Sequence, residues 1–343
     1  MKLHSNIHDD ISLKQFVIPG LTRNPAFSWI PAGVYPVLDT GQESRVLDAT
    51  NVAVYKRIRF VISNLAIAIL NGIVWGLIMA LIALGLNMIF GLLHIINMAH
   101  GALYMLGAVV AWYLIEVTGS FWIALIIAPL CVGAIGLIIE RGLIRTIEDK
   151  PITTIICTFG VMLAVQQLVL MIFGGSPRRI SPPVAYRFPL FELQYPAMRI
   201  MIALISIVLM IGLWIFLRKT KYGLWMRAVV QDREMAVGLG IPVNKVYMWT
   251  FVLGSALAAF SGVLAAPIVS VEFMMGRDIL IMAFIIVIVG GMGNLGGSVL
   301  AAIMISLIQG IGSLFVPPSI ATVFALAFMI LVLMFRPQGL FGE

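Results

Sequence analysis

The sequence predicts an all-α polytopic membrane protein of about nine transmembrane helices, with eight and ten as the bounds. Three observations lead there. The 343 residues are 61% hydrophobic and 11% charged, with a mean hydropathy of +1.07, whereas soluble domains are nearer one quarter charged. No Asp, Glu, Lys or Arg occurs from Val61 to Ile115, nor from Ile279 to Phe335. A hydrocarbon core about 30 Å thick takes roughly 20 residues per helix, so each of these blocks holds more than one crossing.

Residues 1–59 differ in kind. They are polar, rich in Pro, Gly and Asn, and carry no uninterrupted apolar region of the signal-peptide type. The reading is a disordered tail or a mis-called start. The stretch Val17–Ala32, VIPGLTRNPAFSWIPA, looks like a translated bacterial intergenic repeat, which places the natural start near Val52 or Val54. Residues 60–343 form the transmembrane domain. Apolar runs bounded by charges, Pro or Gly place crossings near 62–91, 99–115, 121–139, 153–173, 197–217, 247–269, 279–291, 297–315 and 320–335. The first run is long enough to continue into a short broken segment, and a split there gives ten. The run 279–291 is too short alone and is expected to continue into the glycines after it.

A basic connector, residues 218–245, separates two membrane blocks. Arg218, Lys219, Lys221, Arg227, Arg233 and Lys245 make it the densest basic loop, which places it and the C-terminus in the cytoplasm. Arg178, Arg179, Arg187 and Arg199 fall on the opposite side under that assignment, as do Lys56, Arg57 and Arg59. Four crossings precede the 197–217 span and four follow it, an inverted 4+1+4 repeat of the kind that frames a transport path. Within the connector, Tyr222 to Gly238 is patterned as one short amphipathic helix with Leu224, Ala228 and Met235 near one face; Gly240 and Pro242 end it. Such a helix docks in a groove of a soluble partner or rests on anionic headgroups, and the pattern alone leaves both open.

Each half contains one interrupted stretch. The first runs from Gly91 through His94, Asn97 and His100 to Gly101; the second holds Gly290, Gly291, Gly293, Asn294 and Gly297. Each glycine disfavours helix by about 1 kcal/mol relative to Ala. Non-helical backbone at membrane depth survives only inside protein or along a wet cavity. These residues, with Asn87 as a polar group within a span, are candidates for a pathway or gate, and close helix packing is the alternative. His94 and His100 lack a third metal ligand at suitable spacing and read as hydrogen-bonding groups at a helix end. Asn71, Gln166 and Gln167 fit helix-to-helix bonding as well as substrate contact.

Several classes are disfavoured. Cys131 and Cys157 stand alone in apolar runs without ligand spacing, and no metal site or cofactor is expected. No soluble basic face points to nucleic acid. Glu116, Glu140, Glu272 and Asp278 sit at span ends, which leaves no carboxylate at depth for ion coupling. No GxxxxGK[ST] loop is present for ATP. Ser255 and the histidines form no evident nucleophile–base arrangement, so the chain reads as a transport subunit and not an enzyme.

Five ordered motifs then add a resemblance: GLNMIFGLLHI leading into INMAHG at Ile96–Gly101, RAVVQDREMAVGLGI at Arg227–Ile241, GGMGNLGG at Gly290–Gly297 and FRPQGLFG at Phe335–Gly342. Together they resemble permease subunits of branched-chain amino-acid ABC importers of the LivH type, from about residue 62 to the end. The resemblance implies a multi-pass subunit of the bacterial inner membrane, in contact with membrane lipid. It pairs with a related second permease, two cytoplasmic ATPases that bind the ATP, and a periplasmic substrate-binding protein. It also implies that Arg227, Ala228, Ala236, Gly240 and Ile241 belong to the ATPase-coupling loop. Asn97, His100 and Gly101 match the family's Asn-Phe-Ala-His-Gly signature, with Met98 in place of Phe. The function expected is movement of branched-chain or related amino acids; a self-sufficient channel or facilitator for urea, amides or similar solutes is the rival.

Overall fold

A computed structural model describes residues 40–93, 95–147, 150–190 and 193–342. Two compact units are distinguished, Met1–Ile58 and Arg59–Glu343, and the second carries all that follows. The first 39 residues of the expected tail lie outside the described residues; from Thr40 the chain is helical. Helix α1 covers Thr40–Leu93, α2 His100–Thr118 and α3 Phe121–Ile139. A π-helical turn, Glu140–Ile144, prolongs α3 into α4, Arg145–Ile147. Helix α5 is Pro151–Phe173, α6 Ala197–Lys219, α7 Lys221–Gln231, α8 Arg233–Gly238 and α9 Val243–Ala265. The chain ends with α10 Met275–Gly290, α11 Leu295–Gly312 and α12 Pro318–Phe335.

Among the described residues, seven helices are long and apolar enough to cross a membrane: Arg59–Leu93, His100–Thr118, Phe121–Ile147, Pro151–Phe173, Ala197–Lys219, Val243–Ala265 and Leu295–Gly312. Each coincides with an expected run. The run 279–291 lies in α10, whose 16 residues fall short of a full crossing; the helix begins earlier, at Met275, and stops at Gly290, so the expected continuation into the glycines after it is not found. The run 320–335 lies in α12. One departure from pure helix is a small antiparallel hairpin, β1 Arg187–Leu190 with β2 Leu193–Pro196, in which Arg187 faces Pro196 and Phe188 faces Tyr195. Its Phe-Pro and Tyr-Pro steps disfavour helix before α6 begins.

Burial sorts the helices. Over their most apolar stretches α9 is 67% and α1 56% buried, against 22% for α5 and 17% for α6. Ile78 to Ala83 are all buried, so α1 is enclosed on every side there, as an all-round apolar helix should be. Small residues set the spacing. A methyl group at Gly101 would overlap the carbonyl oxygen of Gly276, and one at Gly276 would overlap that of Gly101. Gly85 and Gly254 repeat the relation, with added Cβ atoms 2.6 and 2.8 Å from the partner's carbonyl oxygen. Helix α1 therefore lies backbone to backbone on α9, and α2 on α10, as small residues permit in membranes.

Candidate functional site

The interrupted stretches come together. Asn87, on α1, donates from Nδ2 to the Asn294 carbonyl at 3.0 Å and to Ser298 Oγ at 2.7 Å, and its Oδ1 accepts from Gly293 N at 2.7 Å. The Gly291 carbonyl lies 3.5 Å from the same amide nitrogen. Gly91 packs on Gly293, leaving 3.1 Å between an added Cβ and its Cα. One buried amide thus ties the start of the first interruption to the centre of the second.

From the other side the C-terminal segment closes on the same turn. Leu340 N donates to the Val289 carbonyl at 2.8 Å, and Asn294 Nδ2 donates to the Phe341 carbonyl at 2.8 Å. Asn294 Oδ1 also caps α11 by accepting from Gly297 N at 2.9 Å. Gly291, at φ +96°, has no room for a side chain: a Cβ would stand 2.7 Å from Gly342 N. Gly290 abuts Gly297 and Ser298 across the turn. The FRPQGLFG motif is therefore a packing partner of GGMGNLGG, a relation that its sequence position did not disclose.

The first interruption narrows to a short non-helical link inside protein, irregular at Ile95–Asn97 and a turn at Met98–Ala99. Ile95, Asn97 and Ala99 are buried. Its backbone is satisfied locally and at long range: Ala99 N donates to Asn97 Oδ1 at 3.0 Å and Met98 N to Thr158 Oγ1, on α5, at 3.2 Å. His100 and Gly101 open α2. His100 is buried, and its Nε2 donates to the Ile82 carbonyl at 3.1 Å. Asn97 Nδ2, His100 Nδ1 and Tyr104 Oη are buried without a hydrogen-bond partner, as is Gln166 Nε2 on α5. His94 lies outside the described residues. Among the described residues no three metal-ligating side chains gather. Gly101 meets Gly276 and not the second interruption, so the candidates divide into an Asn87-centred group and an α2-start group.

The connector is two helices, which corrects the single helix expected over Tyr222–Gly238. The break falls at Asp232, whose extended backbone lets Oδ1 accept from Met235 N at 2.8 Å and start α8. Gly223, Met226, Val229 and Ala236 are buried, whereas Leu224, Val230, Met235, Val237 and Leu239 are exposed. Arg227 is an exposed side chain whose guanidinium donates to the Leu217 carbonyl near the end of α6. Thr220 caps α7 through Gly223 N at 3.2 Å. Ala228 is half-buried and its carbonyl accepts from Asp232 N at the break. Arg233 lies over the Tyr247 ring on α9 at 5.5 Å. Gly240 turns the chain, and Ile241 N bonds the Ala236 carbonyl at 3.0 Å before α9 begins. The connector is thus fastened to both neighbouring membrane helices. Ile89, Ile95, Ile144 and Phe251 pack together, which brings the first interruption and the π-helical turn against the half of α9 that follows the connector.

Comparison with known proteins supplies the lineage. The chain is 30% identical over 295 residues to the high-affinity branched-chain amino acid transport system permease protein LivH of Escherichia coli, covering 80% of this chain and 94% of that one. BraD, the permease protein of the corresponding system in Pseudomonas aeruginosa, is 28% identical over 80% of this chain and 95% of its own. LivM of Escherichia coli is 27% identical over 77% of this chain and 68% of its own. No solved structure matches. The family described as branched-chain amino acid transport system / permease component matches residues 68–333, so an interrupted helical core and a polar connector stand where that family's conserved body lies, and the chain belongs to it.

Proposed function

We propose that the chain is the pore-forming permease subunit of an ATP-driven importer for branched-chain amino acids in a bacterial inner membrane. ATP is bound by two cytoplasmic ATPase partners, and no cofactor or catalytic site resides in the chain itself. A second related permease and a periplasmic substrate-binding protein complete the assembly; the likeness to both LivH and LivM supports the pairing of two such chains. The connector and the C-terminus face the cytoplasm.

One observation carries this reading. The connector is clamped to the end of α6 through Arg227 and to α9 through Arg233, yet it leaves Leu224, Val230, Met235, Val237 and Leu239 exposed in a polar segment. Exposed apolar side chains on a fastened, polar element fit a groove on a soluble partner. Displacement there passes to α9, from α9 to α1 at the Gly254–Gly85 crossing, and onward to α2 and α10 at Gly101–Gly276. The two crossings are reciprocal, which supports an inverted repeat pairing α1 with α9 and α2 with α10, its axis passing through both crossings. The buried polar atoms without partners at the start of α2 cost about 1–3 kcal/mol each, and their retention supports a gate or pathway role for Asn97 and His100.

Arg227→Glu tests the coupling. The substitution should lower ATP-driven leucine uptake several-fold in cells carrying the whole transporter, while membrane levels of the subunit stay normal. Unchanged uptake together with unchanged ATPase association would remove the docking role.

A further inference from the structure

Between the connector and the extension of α3 lies a groove of about 780 Å³, which shares Arg233, Val237 and Ile241 with the coupling reading. Its walls carry Arg141 and Arg145 from the extension of α3, Arg233 from α8 and Lys245 from the first turn of α9, with the rings of Tyr222 and Trp249 beside them. No Asp or Glu lines it among the described residues. All four cationic side chains are exposed. Arg141 makes only a soft contact there, Nη2 lying 3.2 Å from Met248 Sδ.

The height of the groove identifies its surroundings. Arg141 follows the last apolar turn of α3, where Ile138 is 69% exposed. Lys245 and Trp249 sit one turn apart at the point where α9 enters its apolar run, and Trp249 packs edge-on against Tyr222 at 6.4 Å. Tryptophan and tyrosine favour the headgroup level. The groove therefore opens at the boundary of hydrocarbon and water, with cations above and apolar helix wall below.

We propose that this groove is a binding site for the phosphate headgroup of an anionic phospholipid, whose acyl chains lie along the exposed side of α3. Converging guanidinium groups bind phosphate through paired N–H donors, and basic pockets between membrane helices select anionic headgroups. The groove volume accommodates a glycerophosphate headgroup. The site shares Arg233 with the connector's contact on α9, whereas Arg141, Arg145 and Lys245 lie outside that contact.

The test uses the full-length chain in phosphatidylcholine vesicles, titrated with brominated phosphatidylglycerol or brominated phosphatidylcholine. Quenching of Trp249 is taken as the difference between the wild type and Trp249→Phe. The anionic lipid should associate about tenfold more tightly or better, and each charge removed should weaken it about fivefold, in Arg145→Gln alone and in the triple Arg141→Gln/Arg145→Gln/Lys245→Gln. Arg277→Gln, outside the groove, should leave the preference intact; the single Arg145 variant gives the reading if the triple one fails to insert. Equal quenching by the two lipids overturns the proposal, as does an unaltered preference in Arg145→Gln. Relief of quenching by millimolar inorganic phosphate would assign the groove to a free anion and overturn the lipid. Loss of ATPase binding in these variants with lipid preference unchanged would assign it to the protein partner instead.

Discussion

Asn87 shows how much rests on single polar groups in an apolar interior. Its one amide satisfies a backbone N–H, a backbone carbonyl and a hydroxyl of the α10–α11 turn. Asn87→Ala removes all three bonds, about 0.5–1.5 kcal/mol each, although the Asn294 carbonyl and the Ser298 hydroxyl still bond to each other. The variant should unfold at a clearly lower temperature in detergent, and Asn87→Asp, which keeps the acceptor for Gly293 N, should fall between it and the wild type. An alanine variant as stable as the wild type would show that the turn is held by packing alone. Gly291 adds a steric case: a side chain at positive φ costs about 1–2 kcal/mol before its collision with Gly342. Gly291→Leu should abolish uptake, and full uptake at normal membrane levels would return the interruption to ordinary packing. Much of this was open to a reader of the sequence, because glycine clusters and mid-span amides stand out against hydrocarbon. The partners were not. Asn87 and Gly293 are 206 positions apart, and no local pattern encodes such a pairing.

At the scale of elements, apolar length is the most readable signal, since bilayer thickness fixes it; the starts and ends of α3, α5 and α11 follow from it closely. Features governed by tertiary context were less visible. The π-helical turn after Ile139 continues a helix whose apolar run had ended, and the hairpin before α6 is too short to show periodicity. The connector break could have been found: Asp is among the preferred helix N-cap residues, and Asp232 stands inside the single helix expected there. In the sequence its charge blended into an already polar segment. Asp232→Ala removes that cap, worth about 1 kcal/mol, and should loosen α8 against α7. Uptake should fall while the subunit still assembles with its ATPases, because docking surface remains but stiffness is lost. An unchanged transport rate would mean that the two helices need not move as one.

The whole molecule joins an exposed connector to a close-packed centre. Helices α5 and α6 are largely bare, whereas α1, α2, α9 and α10 meet at glycine crossings that leave no space for a side chain. Such an interior moves by sliding or rocking of rigid helices, because dense packing is bistable and not continuously deformable. A bulky residue at either member of a crossing, Gly101→Leu or Gly276→Leu, should therefore lower stability by similar amounts, and a strongly unequal cost would argue against equivalent roles for the two halves. In the proposed function, energy is delivered from outside the chain. The most direct measurement is leucine accumulation in sealed liposomes holding the purified subunit, alone or together with its second permease, ATPases, external receptor and lumenal ATP. Accumulation against a gradient is predicted only for the complete, ATP-supplied assembly; sustained uphill accumulation by the lone subunit would contradict it.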